Sequence, residues 1–526
     1  MRTQIHLFVM LALLSSNLFS QYILDYNYNY SPSNRYFKYS IVDAAGNTYV
    51  TTQSHNYQDS ANIVTMKFSP AGTRLWISVY DGPGHSVDRP VGITGDVSGN
   101  LYVFSTVRYT DSSYITILKY NPSTGGLISL TPLPGTGRFD FTEAVFDNKY
   151  IYAIGRIYKP SLIAIAMIRT KYDGSYTRIR TFDALYGSGH SIAIDKSKNI
   201  YVSGHLWNAA GYYDCQMLKY DSSCTQRWVL NMGKYNPDGG RLSKVLVDAL
   251  DCAVVTYQMD KDRYHDLIVT KKFTADAIPV MSWEQNFSVS DDNFGPYNFD
   301  GYKDFTIDNS RNIIVAGSTG DTSLLVKYNA SGTMLWTKKD VVNAYEFKCI
   351  TTDNTRNIYV AGDFKSRGTA AKYNGTSSAL IWRGDITYPS GIFLGDKISL
   401  DASSRIHILG ARYYGVIPYR QITILSYSPT APRLAVIEES SFRLGNNFPN
   451  PFNPVTSIRF SIPVYGSAVL RVFDNIGREV AVLVNGNLEP GEHRVTFDAS
   501  GLSSGIYFYK LESGKYSEIK KMVLVK

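Results

Sequence analysis

Charged side chains make up only 19% of the 526 residues, below the quarter that is usual for a globular chain. The 53 basic and 45 acidic residues give a net charge of +8, and the cations are scattered rather than massed. A nucleic-acid surface concentrates its cations on one stripe or element, so nucleic acid is set aside as a partner. Beyond the first twenty residues no run approaches the ~20 apolar residues that a membrane helix needs, and no transmembrane segment is expected. There are 4 cysteines and no C-x-x-C pair, which argues against a zinc site. No long amphipathic helix pattern is present. The signatures of chemistry are missing too. No H-E-x-x-H or other ligand spacing joins the histidines, and there is no G-x-S-x-G elbow. Asp291-Asp292 is not set in a calcium loop. No catalytic residue, metal or cofactor is therefore assigned.

What the chain does have is 41 Tyr, 41 Gly and 20 Pro beside an apolar fraction of 44%. Tyrosine suits half-buried strands, and glycine and proline suit the turns between them. The expected fold class is all-β. Residues 1–20 read as a signal peptide: Arg2, an apolar run from Leu7 to Leu14, and small residues Ser15, Ser16 and Ser20 before a cut at Gln21. Cys215 and Cys224 flank a hairpin turn, which leaves open either a disulfide, permitted by export, or two buried thiols.

A basic-aromatic pair recurs along most of the chain. It stands at Lys67-Phe68, Lys119-Tyr120, Lys171-Tyr172, Lys219-Tyr220, Lys272-Phe273, Lys327-Tyr328 and Lys372-Tyr373, with Ser426-Tyr427 as an altered eighth copy. Seven intervals from 67 to 426 give a period of about 51 residues. Upstream of the pair comes an Asp/Gly/Asn turn and a strand, as in DAAGNTYV at Asp43, DVSGNLYV at Asp96, DNSRNIIVAG at Asp308 and DNTRNIYVAG at Asp353. Such residues close tight hairpins through side-chain hydrogen bonds and left-handed dihedrals. Downstream comes a second turn and then Trp76, Trp228, Trp283, Trp336 or Trp382. One unit is thus four antiparallel strands, a propeller blade that buries its faces only by stacking on its neighbours. About eight four-stranded blades are expected, with seven as the alternative. The tryptophans should wedge between blades, and residues 22–30, an orphan strand, should complete the last one.

These units resemble the β-propeller repeats of secreted bacterial proteins, whose signature is Asp-x-x-Gly-Asn-x-Tyr-Val-x-Gly. The resemblance implies a binding surface and no fixed chemistry.

The period stops after Pro432. Proline at 449, 451 and 454 suits a connector, and six alternating stretches between 457 and 525 read as a small β-sandwich. The expected boundaries are 1–20 signal peptide, 21–433 propeller, 434–448 linker and 449–526 sandwich. The C-terminal stretch carries NFPNPFNP at 447–454, Phe473-Asp474 with Gly477-Arg478, Gly491-Glu-His493, Ser504-Gly505-Ile-Tyr507-Phe-Tyr509, and Lys520-Lys521-Met522 ending at Lys526. This series resembles the type A sorting domain of the type IX secretion system. The resemblance implies an Ig-like fold, recognition by the secretion machinery at the outer membrane, and delivery through the periplasm to the cell surface or medium. It also marks Gly491, Gly505, Tyr507, Lys520, Lys521 and Lys526 as parts of the sorting signal.

Ligand-binding candidates are residues that break the repeat. Trp207 is out of phase and sits near Tyr212 and Tyr213. An insertion at 288–304 carries Asp291 and Asp292. Loops of this kind carry function on propellers. Three functions follow as expectations: a monomeric scaffold that binds a glycan or protein; a polysaccharide hydrolase or lyase, which for hydrolysis needs paired carboxylates about 5–10 Å apart; or a purely structural surface module.

Overall fold

A computed structural model describes residues 19–28, 38–53, 61–70, 73–96, 98–109, 112–133, 137–183, 185–208, 213–235, 243–262, 265–276, 278–290, 301–319, 322–340, 346–364, 367–386, 392–401, 405–414, 419–427, 442–462, 466–488, 491–514 and 516–526. Among them every regular element is a β-strand. The chain divides into two compact units, 1–22 with 28–434, and 23–27 with 435–526. Residues 1–18 of the expected leader lie outside the described residues.

Sheet 1 holds the strands Lys38–Val42, Thr48–Gln53, Ile63–Phe68 and Arg74–Tyr80 in sequence order. Sheets 2 to 7 repeat this plan within 89–133, 138–182, 187–235, 244–290, 301–340 and 346–386. Sheet 8 takes Ile392–Leu400, Ile406–Tyr414 and Tyr419–Tyr427, and its fourth strand is Phe19–Tyr28, placed next to Tyr419–Tyr427. The N-terminal strand therefore completes the last sheet, starting three residues earlier than the expected 22.

From sheet 1 to sheet 8, the first strand of each sheet packs on the first strand of the next. Sheet 8 meets sheet 1 where Lys397 Nζ donates to the Ser40 carbonyl at 3.5 Å and His407 Nδ1 lies 3.3 Å from Thr48 Oγ1. This closed succession is a β-propeller. Among the described residues each of the seven seams from sheet 1 to sheet 8 has its own apolar cluster, because the second strand of a sheet sends alternate side chains to opposite neighbours. Leu101 and Val103 face sheet 1, whereas Tyr102 and Phe104 face sheet 3. Cys215, on the third strand of sheet 4, lies in the seam of sheets 4 and 5, whereas Cys224, in the turn after that strand, lies in the seam of sheets 3 and 4, and all four cysteines are free thiols.

The repeated aspartates are hairpin caps. Asp353 Oδ1 accepts the Asn357 N–H at 2.8 Å, and Oδ2 accepts the Asn357 amide at 2.8 Å and the Tyr359 hydroxyl at 2.9 Å. Asp43 and Asp96 make the same set. The repeated cation reaches across the seam. Lys67 Nζ and Trp76 Nε1 both donate to the Pro122 carbonyl at 3.0 Å, and Lys272 and Trp283 share Ala330 at 3.2 and 3.1 Å. The tryptophan thus does wedge between sheets: a Cβ on Gly125 would fall 2.6 Å from the Trp76 ring, and one on Gly332 would fall 2.7 Å from Trp283.

One assignment of the repeat is corrected by register. In sheet 1 the cross-strand row is Tyr49, Lys67, Trp76. In sheet 3 it is Tyr152, Arg169, Arg178, so Arg169 rather than Lys171 fills the cation position. Arg169 donates to the Ser222 carbonyl of sheet 4, as the lysines do in their own seams. Lys171 instead opens the turn to the fourth strand, where its N–H donates to the Tyr176 carbonyl at 3.0 Å as that of Ser69 donates to Thr73 in sheet 1.

The second unit holds a three-stranded sheet of Arg443–Leu444, Val455–Ile462 and Gly491–Asp498, and a four-stranded sheet ordered Glu479–Leu488, Gly466–Phe473, Gly505–Ser513, Tyr516–Leu524. One apolar cluster joins them, with Leu444, Phe452, Ile458, Leu470, Tyr509 and Met522 at its centre.

Candidate functional site

The first strand of each of sheets 2, 3 and 4 carries a bulge, and opposite it stands a small residue of the second strand: Ser105, Gly155 and Gly204. The bulge brings backbones so close that a Cβ at Gly155 would fall 2.3 Å from the Asp140 carbonyl, and one at Gly204 would fall 2.4 Å from that of Ser188. Glycine is the residue for such an approach. Counted from these anchors, Arg108, Tyr158 and Trp207 hold one equivalent position in three successive sheets, and Thr106, Arg156 and His205 hold another. The residues that break the repeat therefore share one end of neighbouring sheets.

The aromatic part centres on Tyr213, the register partner of Trp207. Its ring lies 4.6 Å from Trp207 and 4.8 Å from His205, edge-on to both. Tyr186 stacks on His205 at 6.0 Å, and His190 packs on the same imidazole at 4.6 Å. Edge-on and offset rings are favourable arrangements and hold the group rigid. Trp207 is exposed, whereas His205 and His190 are buried. His190 Nδ1 accepts the Ser243 N–H at 3.2 Å, so a neutral His190 carries its proton on Nε2.

The charged part continues from Tyr186. Arg156 donates to the Tyr186 hydroxyl at 3.1 Å and to Asp140 at 2.8 Å. Arg89 donates to the other Asp140 oxygen at 2.8 Å. Burial pushes the Asp140 carboxyl up, but Arg89 and Arg156 outweigh it and hold the group below the usual carboxylate range. Arg138 and Arg156 both lie over the Tyr158 ring, at 4.6 and 5.2 Å. Arg108 is held below its ordinary value, first by burial and then by Arg138 and Arg89 beside it.

Of the sequence candidates, Trp207 and Tyr213 meet in this cluster, and Tyr212, Asp291 and Asp292 lie outside the described residues. The arginines and Asp140 escaped sequence reasoning because they come from four strands of two sheets: Arg89 and Arg108 of sheet 2, and Arg138, Asp140 and Arg156 of sheet 3. Among the described residues no group of His, Cys, Asp or Glu is placed to hold a metal, and no helix is long and apolar enough to cross a membrane.

In the second unit the expected sorting residues fall into two sets. The Tyr507 hydroxyl donates to the Ser503 carbonyl at 2.8 Å, while Lys526 donates from its backbone N–H to Ser504 Oγ at 2.9 Å and from Nζ to the Ser500 carbonyl at 2.6 Å. Both residues therefore fasten the turn before Gly505, where the strand Gly505–Ser513 begins. Lys520 reaches elsewhere, to Asn446 Oδ1 at 3.2 Å, at the head of the proline-rich segment. Lys521 is exposed, and Gly491 opens the strand paired to Ile462. Sequence reasoning passed over Tyr509, whose hydroxyl accepts the Asn447 N–H at 3.0 Å and donates to the Gly445 carbonyl at 2.8 Å. Residues 450–452 also run beside the last strand: Val523 donates to Asn450 Oδ1 at 2.9 Å, and Phe452 to the Val523 carbonyl at 3.0 Å.

The fold and its two sites define the class: a repeat-built β-propeller followed by a small two-sheet module. Residues 446–526 match the family of the secretion system C-terminal sorting domain. This domain of type IX secretion marks the protein for export across the outer membrane, to the cell surface or the medium. No curated protein matches the sequence. Similar solved structures include the Dos1 propeller, at 8% identity and a TM-score of 0.47 over 78% of this chain and 96% of that one. They also include PorZ, a surface component of the type IX secretion system of Porphyromonas gingivalis, at 12% identity and 0.26 over 93% and 74%. A third is the polysaccharide lyase Uly1, at 8% and 0.41 over 78% and 97%.

Proposed function

We propose that the exported protein is a non-enzymatic scaffold whose propeller, read as eight four-stranded blades, binds a glycan at the strip Arg108, Tyr158, Trp207. The observation that carries this reading is the exposed Trp207 braced by Tyr213 on a rigid ring cluster. Amphipathic rings with polar neighbours suit the faces and hydroxyls of sugars. In the described part of this cluster the carboxylate, Asp140, is engaged by two arginines rather than paired with a second carboxylate, which favours binding over hydrolysis. The second unit, read as an Ig-like sandwich, acts as the address, with Gly491, Gly505, Tyr507, Lys520, Lys521 and Lys526 contributing to what the secretion machinery recognises.

Two measurements test this. The full protein and a version lacking 442–526 are expressed in a host with type IX secretion, and only the full chain should reach the surface. Equal delivery of both would remove the sorting role from this protein's module. On a glycan array, Trp207→Ala should lose the wild-type signal, and an unchanged pattern would move the site elsewhere.

A further inference from the structure

We infer that this strip is selective for an acidic polysaccharide, whose carboxylate or sulfate groups seat between Arg108, Arg138 and Arg156 while a sugar ring lies on Trp207 and Tyr213. The inference rests on the glycan reading and names its ligand class. Its basis is a local imbalance of charge. Four guanidinium groups, Arg89, Arg108, Arg138 and Arg156, gather around one carboxylate, Asp140. That carboxylate is already engaged by Arg89 and Arg156. Among the described residues Arg108 and Arg138 have no ion-pair partner. Asp88 lies close by, but it is fully buried and accepts the backbone N–H groups of Gly82, at 2.6 Å, and Arg108, at 3.2 Å, rather than a guanidinium.

Such an arrangement is stable but unsatisfied. Arg138 and Arg156 flatten against Tyr158, which fixes their direction while leaving N–H groups open. Arg138 is exposed, and Arg89, Arg108 and Arg156 are half-buried. Planar forks held at a surface match the two oxygens of a carboxylate or sulfate. A neutral glycan would need the aromatic part alone and would leave this excess charge uncompensated. A repeating anion on a polymer suits this strip, since acidic groups can meet the arginines of sheets 2 and 3 while a neighbouring sugar lies on Trp207 of sheet 4.

The test uses the full chain and three probes: polygalacturonate, dextran sulfate and uncharged dextran. Binding is read by calorimetry, at low and at raised salt. One or both acidic polymers should bind, uncharged dextran should not, and affinity should fall as salt rises. A preference between the two acids identifies carboxylate or sulfate as the group read. The double variant Arg108→Gln/Arg138→Gln should weaken acidic binding about tenfold or more, the loss expected for one or two charge-assisted hydrogen bonds, with an unchanged melting temperature. Equal binding of dextran, or an arginine double variant that binds like the parent, overturns the acidic selectivity and leaves the glycan reading standing if Trp207→Ala still loses dextran. Failure of the parent to bind any polysaccharide overturns both.

Discussion

Lys272 Nζ stands 2.7 Å from Asp248 Oδ2, with both side chains enclosed in the seam of sheets 5 and 6. Lys327 and Asp308 repeat the contact at 2.9 Å one sheet later. In the sheets where tyrosine precedes the cation, the lysine instead lies over that ring, as Lys67 over Tyr49 at 5.0 Å, and the hydroxyl takes the second aspartate oxygen. Val254 and Ile314 occupy the tyrosine position in sheets 5 and 6, and there the lysine becomes the missing donor. Removing one partner of a buried pair costs about 3–5 kcal/mol, against about 1.5–3 for a hydrogen bond to a charged group. Lys272→Met should therefore destabilise more in urea than Tyr359→Phe. Equal losses would contradict the exchange of donors.

Acid should unfold the propeller through its caps. Burial raises Asp248, Asp308 and Asp353, but hydrogen bonds from Lys272, Lys327 and Asn357 outweigh it, and all three are held below the ordinary carboxylate value. Their stabilisation is present above the unfolded value and is lost as pH falls through the lower folded ones. Asp88 runs the other way. Burial pushes it up to about 6, so it favours the folded state below its unfolded value and loses that advantage as pH rises to 6. The stability of the parent relative to Asp88→Asn should decline by about 3 kcal/mol across this window, on the order of two pKa units. An Asp88 carboxyl resonance that titrates near 4 would rule this out.

Two glycines separate contact from conformation. Gly125 and Gly99 have nearly the same φ, +75° and +81°, but only Gly125 faces a ring, that of Trp76. Gly99→Ala should cost about 1 kcal/mol, the penalty of a left-handed non-glycine residue. Gly125→Ala should add about 1–3 kcal/mol of overpacking. Calorimetric melting reads the difference, and equal melting temperatures would mean that the tryptophan seam adapts freely.

Deleting 22–30 removes most of the strand that completes sheet 8 and should lower the melting temperature far more than trimming a frayed end. An unchanged melting temperature would show that the propeller does not depend on this closure.

The repeat was legible because its spacing follows from hairpin chemistry. An aspartate four residues before the Asn or Arg N–H that it caps, as Asp353 before Asn357 and Asp401 before Arg405, is visible in the letters. Register was less so. Lys171-Tyr172 imitates the pair, yet cross-strand pairing gives the role to Arg169, and only a cation's reach, not its name, matters there. The Trp207 and Tyr213 platform stood out because it broke the pattern. Arg89, Asp140 and Arg156 did not, because single polar residues at strand ends are common and their meeting depends on the bulges of sheets 2 and 3, whose extra residues leave no mark in the composition.

Two seams of this ring are cut to the same key: Trp76 against Gly125 with the Pro122 carbonyl, and Trp283 against Gly332 with the Ala330 carbonyl. Parts that interlock identically are interchangeable. A recombination that joined the coding segment of sheet 1 directly to that of sheet 6 would present Trp76 with a ready-made socket. A gene of this kind can lose or gain several blades in a single crossover and still encode matched neighbours at the new joint.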